Sequence, residues 1–175
     1  IQEQLKDLML VNARFSTVFT DETEPTAHGA ESCEFHISMN KGEALKPLSL
    51  TASGGELSRL MLGLKVIFTH LMGIETVIFD EIDTGVSGKI AEKMAEIMEE
   101  MGLQNRQVLS ITHLPQIAAK GSHHYKVLKE ETENGTISHM KELNSQERIE
   151  EIAQMLSGSD ITQAALANAK ELLRI

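Results

Sequence analysis

Apolar and polar residues alternate in two stretches near the start of the chain. Phe15 and Phe19 belong to an alternating pattern over residues 14–20, and a similar pattern runs through residues 33–39. Period-two patterning is typical of half-buried strands in an antiparallel sheet. The acidic stretch between them, residues 21–32, is predicted to be a loop.

Residues 1–13 instead carry apolar residues at helical spacing, among them Leu5, Leu8 and Met9. This spacing predicts the end of an amphipathic helix. Fewer than two heptads are present, so the pattern leaves open whether the helix is the end of a coiled coil. The first residue is Ile1 rather than Met, and we expect the chain to be part of a longer protein.

The periodicity changes in the middle of the chain. Residues 57–71 are apolar at helical spacing and on the opposite side as well, which predicts a helix buried on nearly all sides. Two short apolar runs, residues 76–79 and 108–111, flank a further helical pattern over residues 90–101. Such runs suit strands that are buried on both faces, and the order predicts a βαβ unit with a parallel sheet.

The last part of the chain predicts a hairpin followed by two helices. Asn134-Gly135 lies between strand-like runs at residues 125–130 and 136–142, which is a strong hairpin signal. A capping box formed by Asp160 and Gln163 is predicted to begin the second of the two helices.

Composition narrows the class of protein. The 175 residues are 41% hydrophobic and 24% charged, which is typical of a globular domain. No run of 18 apolar residues and no signal peptide is visible, so we expect a cytoplasmic protein that does not contact a membrane. The only cysteine, Cys33, gives no disulfide framework and is predicted to be a buried or half-buried apolar residue.

The net charge of −10 bears on nucleic-acid binding. DNA affinity comes mainly from Lys and Arg side chains that neutralise phosphates. An acidic chain repels the DNA backbone, so strong DNA binding by this chain alone is not expected.

A glycine-rich segment, Ser53-Gly54-Gly55-Glu56, lies immediately before the long apolar helix. The start of a helix offers unpaired N–H groups and a partial positive charge, and glycines let a phosphate approach the backbone. The segment therefore predicts an anion-binding helix start. An ordinary glycine-containing cap is an equally good interpretation of this segment taken alone.

Polar residues also end both predicted strands of the βαβ unit. Asp80 and Glu81 follow the first strand, where Asp80 could hold Mg²⁺ and Glu81 could polarise an attacking water. The alternative is a pair of capping residues. His113 follows the second strand and could contact a terminal phosphate, although a lone histidine there is more often a structural hydrogen-bonding residue.

The order of these features resembles the C-terminal half of an ATP-binding-cassette ATPase head. Residues 53–57 are similar to the signature motif, and residues 77–81 to a Walker B strand with its catalytic glutamate. Residues 83–88 are similar to the D-loop, and His113 to the switch histidine. The longer stretches of sequence around these motifs resemble the SMC-like DNA-repair ATPases of bacteria. In those proteins two head halves at the chain ends are joined by a long antiparallel coiled coil.

The resemblance implies an α/β fold. It would be the C-terminal lobe of such a head, with a mostly parallel sheet flanked by helices, an antiparallel β segment and a β-hairpin. Residues 1–13 would be the end of a coiled-coil helix. Residues 14–175 would form the lobe, without the lobe that carries the P-loop.

The resemblance also assigns roles to single residues across two composite ATP sites. The implied roles are Glu81 as general base, His113 as sensor of the γ-phosphate, Asp80 as Mg²⁺ ligand, Ser53, Gly54, Gly55 and Glu56 as contacts to ATP on a second head, Asp83 as the D-loop residue that couples the sites, and Arg59 as an interface residue. The implied cofactors are ATP and Mg²⁺. The implied partners are an N-terminal P-loop lobe, a second identical head and DNA, in a nucleoid-associated protein.

The nucleotide-holding P-loop has no counterpart in the sequence. No Gly-x-x-x-x-Gly-Lys-Ser/Thr pattern occurs in the 175 residues. We therefore expect this chain alone neither to bind ATP tightly nor to hydrolyse it.

Three other classes of protein remain as alternatives. A head lobe from another SMC-like chromosome or repair ATPase would share the mechanism. A transporter ATPase is disfavoured, since Glu56 and Ile82 replace the glutamine and proline usual in transporters. A non-enzymatic interaction domain would show no response to nucleotide when a P-loop lobe is supplied.

Overall fold

The computed structural model describes residues 1–27, 29–50, 54–132, 135–158 and 160–175. These residues form six α-helices and three separate β-sheets. No helix within these ranges is long and apolar enough to cross a bilayer.

The first sheet is a long antiparallel ribbon. Its strands are β1 (Arg14–Thr26), β2 (Gly29–Ser38) and the short β3 (Lys46–Pro47). Most of the predicted acidic loop is therefore strand, which corrects that expectation. The backbone ladder continues through the pair Asp21↔Glu31 and resumes at Thr26↔Gly29, because strand pairing needs backbone hydrogen bonds and not a buried face.

The ribbon also departs from the predicted half-buried pattern. Burial is confined to its base, where Ile37, Ser38 and Met39 are enclosed. Cys33 lies farther along β2 and is exposed, so the prediction of a buried or half-buried cysteine was wrong.

The predicted N-terminal helix is shorter than its apolar pattern. Helix α1 spans Gln2–Asp7 and ends because Met9 adopts a left-handed backbone, with a φ of 62°. Leu5, Leu8 and Leu10 are nevertheless buried against the rest of the chain. The continuation of this segment as a coiled coil stays a prediction.

Helix α2 spans Gly54–Leu71, as the periodicity predicts, but it is not buried on all sides. Leu60 and Leu64 pack into one core cluster, and Leu62, on the opposite side of the helix, packs into another. Phe68 and Leu71, near the C-terminal end of the helix, are 49% and 74% exposed. The apolar pattern shows what a helix is able to bury, but the described residues leave Phe68 and Leu71 uncovered.

The predicted βαβ unit is confirmed. Strand β4 (Thr76–Asp80) pairs in parallel with β5 (Gln107–Ile111), and α3 (Gly88–Leu103) connects them. This pair is the parallel part of the described structure. Val77 and Phe79 point into the core with the methionines of α3, while Ile78 is exposed. The strands were predicted to be buried on both faces, but they are buried on one.

The remaining elements follow the βαβ unit as a short helix, a hairpin and two helices. They are α4 (Pro115–Ala118), β6 (Tyr125–Thr132), β7 (Gly135–Glu142), α5 (Ser145–Ser157) and α6 (Gln163–Leu173). The hairpin is confirmed by the pair Thr132↔Gly135, although Asn134 of the predicted turn lies outside the described residues.

The helix caps differ from the predicted ones. Thr162 caps α6 by accepting a hydrogen bond from the backbone N–H of Ala165, so the capping box assigned to Asp160 and Gln163 was wrong. A complete capping box does occur on α5, between Asn144 and Glu147. On α6, Thr162 is closer to the first turn than Asp160 is, and its hydroxyl reaches the free N–H group.

Candidate functional site

The acidic pair stands at the carboxyl end of β4. The side chains of Asp80 and Glu81 are exposed there. Glu81 has a left-handed backbone, with a φ of 46°, which is unfavourable for a residue with a side chain. Its N–H donates to the carbonyl of Ile111 on β5 over 3.1 Å, and its carbonyl accepts from the N–H and hydroxyl of Thr84. These bonds hold the strained turn and aim the carboxylate outward.

The end of β5 is tied to the loop after β4 through Asp83. This carboxylate is 1% exposed and accepts a hydrogen bond from the hydroxyl of Thr112. The same hydroxyl accepts from the N–H of Leu114 over 3.0 Å. Nδ1 of His113 lies 3.7 Å from the Asp83 carboxylate, while the His113 side chain is 65% exposed. His113 thus lies beside a buried carboxylate and is accessible to solvent.

The other carboxylate oxygen of Asp83, Oδ1, has no hydrogen-bond partner among the described residues. A buried carboxylate of this kind is expensive to keep unless nearby donors compensate it. The Thr112 hydroxyl donates to Asp83 and the His113 ring lies 3.7 Å from it, and both residues directly follow β5. The loop after β4 and the segment after β5 therefore form one joined structure.

The glycine-rich helix start is packed directly against the same loop. A Cβ on Gly55 would stand 2.3 Å from the carbonyl oxygen of Gly85, and a Cβ on Gly85 would stand 2.9 Å from the N of Gly55. Gly85 also has a φ of 78°, which favours glycine. The hydroxyl of Ser58 donates to the carbonyls of Gly54 and Thr84, at 2.9 and 3.0 Å. Only glycine allows this close backbone approach.

Arg59 lies one helical turn further along α2. Its Nε donates to the carbonyl of Gly55 over 3.2 Å, and its Nη1 to the carbonyl of Leu8 over 3.3 Å. Burial lowers the pKa of the Arg59 guanidinium, and the negative charge of Glu56 opposes that shift. Both hydrogen bonds are made within the chain.

The structure brings most of the predicted site residues into two groups, the glycine-rich helix start and the ends of β4 and β5, and these groups contact each other. Gly54 and Gly55 meet the loop that contains Asp83, and Asp83 meets His113. Ser53 lies outside the described residues. Across the described ranges, no three His, Cys, Asp or Glu side chains are grouped to hold a metal ion.

Two hydroxyl residues that connect these groups were missed by the sequence reasoning. Thr112 directly precedes His113, and Ser58 is four residues after Gly54. A hydroxyl at an i+4 position on a helix commonly bonds back to the carbonyl, so Ser58 carried a weak signal. Nothing in the local pattern indicates that either hydroxyl also contacts the loop after β4.

Comparison with solved structures identifies the fold. The chain superposes on the Smc head domain of Pyrococcus yayanosii with a TM-score of 0.67 over 89% of this chain and 28% of that one, at 15% identity. A chain from a structural study of ATP-driven dimerization and DNA-stimulated activation of SMC ATPases gives a TM-score of 0.62 over 91% of this chain and 90% of that one, at 14% identity. The fold is therefore that of an SMC-type ATPase head.

Sequence comparison is more specific. No protein-family model matches the chain. The DNA repair protein RecN of Halalkalibacterium halodurans is 41% identical over 99% of the chain, and RecN proteins of other bacteria are 38–44% identical over 97–100% of it. The chain spans about a third of the length of these relatives. Over its whole length the chain is homologous to about a third of RecN.

Proposed function

We propose that this chain is the C-terminal lobe of a RecN-type DNA-repair ATPase head, which hydrolyses ATP together with a P-loop lobe and a second head. The observation that carries the proposal is the direct contact of Gly55 with Gly85. This contact joins the glycine-rich helix start to the loop that follows the acidic pair. The two parts of an ATP-binding-cassette site that this chain could supply, the glycine-rich helix start and the acidic pair, are thus adjacent in one lobe.

Asp80, Glu81 and His113 would act on the nucleotide of their own head. Glu81 would accept a proton from the attacking water, since its exposed carboxylate projects from a turn that Ile111 and Thr84 hold rigidly. His113 would donate a hydrogen bond to the γ-phosphate, with its Nδ1 facing the Asp83 carboxylate 3.7 Å away. Each role requires exposure, which both side chains have.

Asp80 would hold Mg²⁺ with the phosphates of the nucleotide. One exposed carboxylate fits this ion, because Mg²⁺ in phosphate sites takes one or two carboxylates and fills its other positions with water and phosphate oxygens. The ion would neutralise charge on the phosphates.

Ser53, Gly54, Gly55 and Glu56 would contact ATP bound to the opposite head. The first turn of the 18-residue helix α2 presents backbone N–H groups that suit a phosphate. Asp83 would couple the two composite sites, because its loop touches both the glycine-rich turn and the His113 segment. Arg59 was predicted at the head interface, and its two described hydrogen bonds, to Gly55 and Leu8, support a role within the chain.

The P-loop lobe would cover apolar side chains that α2, β4 and β5 leave exposed. Phe68, Ile78 and Ile111 are 49%, 55% and 56% exposed on these elements. Exposed apolar area of this kind marks a contact surface. The assembled protein would be a homodimer of heads that acts on DNA, located in the cytoplasm with the nucleoid.

The proposal is tested by reconstituting the head from this chain and a RecN P-loop lobe. We expect no turnover by the chain alone, and ATP hydrolysis once the lobe is supplied. Glu81→Gln should retain nucleotide binding and head dimerisation but lower the hydrolysis rate by about 100-fold or more, since the base is lost and the shape is kept. The matched control is Glu92→Gln, an exposed glutamate on α3.

The result that contradicts the proposal is equally specific. Turnover by the pure chain would remove the need for a P-loop lobe. Unchanged hydrolysis in Glu81→Gln would remove Glu81 as the base. Absence of any nucleotide effect on the thermal stability of the reconstituted head would favour a non-enzymatic interaction domain.

A further inference from the structure

Arg59 connects two parts of the chain that are far apart in sequence. Leu8 immediately follows α1, and Gly55 lies in the first turn of α2. The guanidinium donates to the carbonyl of each, over 3.3 Å and 3.2 Å. Hydrogen bonds from a charged donor are stronger than neutral ones, and partial burial of this group strengthens them further. The planar guanidinium fixes the two carbonyls relative to each other.

The packing next to this link leaves little room for α1 to move independently. A Cβ on Gly63 of α2 would stand 3.3 Å from Cδ1 of Leu8 and 3.5 Å from Cβ of Gln4. The Leu8 side chain is 1% exposed and packs with Leu62 in the core under β4. Helix α1 is therefore seated on α2, and Arg59 joins the end of α1 to the start of α2.

We propose that Arg59 is a positioning residue that couples α1 to the glycine-rich turn, so that the position of this turn depends on how α1 is seated. The inference rests on the proposed function, in which that turn contacts ATP on the opposite head. A shift of α1 moves the Leu8 carbonyl, Arg59 transmits the shift to the Gly55 carbonyl, and Gly55 in turn presses on Gly85. The coupling thereby regulates engagement of the two heads.

Lysine and glutamine variants separate this role from a simple role of charge. Lysine keeps the charge but offers a single nitrogen, whereas the link uses two nitrogens of one rigid group. If the link matters, Arg59→Lys and Arg59→Gln behave alike. If charge alone matters, lysine restores activity and the proposal is overturned.

The measurements use this chain within a complete RecN-type protein. Arg59→Gln and Arg59→Lys are expected to lower kcat/KM for ATP on the order of five- to tenfold, a typical coupling between sites. Nucleotide affinity at protein concentrations too low for head dimerisation should change by less than about twofold, since Arg59 does not face the nucleotide of its own head. Arg148→Gln is the control, because Arg148 also donates to two backbone carbonyls, those of Gly121 and Ser122.

A second variant tests the transmission itself. Gly63→Ala pushes against Leu8 and Gln4 and should change kcat/KM while Arg59 is present. In the Arg59→Gln background the same change should have little further effect, because the link is already broken. Additive effects, or an Arg59→Gln loss no larger than that of Arg148→Gln, would overturn the inference. Absence of hydrolysis by the parent protein would instead contradict the proposed function.

Discussion

At the scale of single residues, Asp83 is a buried carboxylate that joins the loop after β4 to the segment after β5. It is 1% exposed, and one of its oxygens has no partner within the described part of the chain. The hydroxyl of Thr112 donates to its other oxygen, and His113 lies 3.7 Å from it. A buried carboxylate that loses a donor keeps its full cost of desolvation.

This dependence predicts a clear difference between two substitutions of Thr112. Thr112→Val keeps the shape but removes the hydroxyl, and should destabilise the fold by about 1–3 kcal/mol. Thr112→Ser keeps the donor and should cost less than about 1 kcal/mol. Thermal or urea unfolding of both variants measures the difference. A loss in Thr112→Ser as large as or larger than that in Thr112→Val would contradict a dominant role of the hydrogen bond.

At the scale of elements, the site is a contact between the start of α2 and the loop after β4. Their backbones touch at Gly55 and Gly85, and the Ser58 hydroxyl bridges the two elements. A strand and a helix positioned in this way move together. The part of the chain that would serve the opposite nucleotide is therefore rigidly joined to the part that would serve its own.

Neighbouring glycines provide a matched test of this contact. Gly55→Ala would place a Cβ 2.3 Å from the Gly85 carbonyl and should destabilise the fold by about 1–3 kcal/mol, as overpacking does. Gly54→Ala meets no described atom within 4 Å and should be neutral or stabilising by up to about 1 kcal/mol, because alanine favours a helix. Thermal unfolding compares them, and equal midpoints would argue against a close contact.

At the scale of the whole molecule, the described residues leave an apolar surface on α2 and on the β4–β5 pair. Leu71 is 74% exposed at the end of α2, and Ile78 and Ile111 are more than half exposed on the sheet. The other face of the same pair is packed by α3. An α/β sheet is normally covered on both faces, so we expect another part of the protein to cover this one.

Charge on the open face should weaken binding of the P-loop lobe. Ile78→Asp leaves the core intact, because Ile78 is exposed in this lobe, but would bury an unpaired carboxylate in the assembly. We expect the dissociation constant for the lobe to rise at least tenfold, measured by calorimetry. Leu103→Asp, at an 80% exposed residue that ends α3, is the control and should change it by less than about twofold.

Several parts of this fold could be predicted from the sequence for a local reason. The order of β4, α3 and β5 and the hairpin around Gly135 were confirmed, because periodicity and turn residues act over a few positions. The length of the antiparallel ribbon was underestimated, since Glu22 and Glu24 in β1 give no apolar alternation. Cys33 shows the opposite error, because its apolar character does not mean that anything covers it.

The candidate site, too, could be predicted from the sequence where local pattern defines it, and not where it depends on contacts between distant segments. The sequence by itself determined which segments carry Gly54, Gly55, Asp80, Glu81 and His113, because these stand at helix starts and strand ends that local pattern defines. Only the tertiary structure decided that Gly55 meets Gly85 and that Arg59 reaches Leu8, 51 residues away in sequence. Such contacts depend on how packed elements are seated against one another, and periodicity along the chain contains no information about that seating.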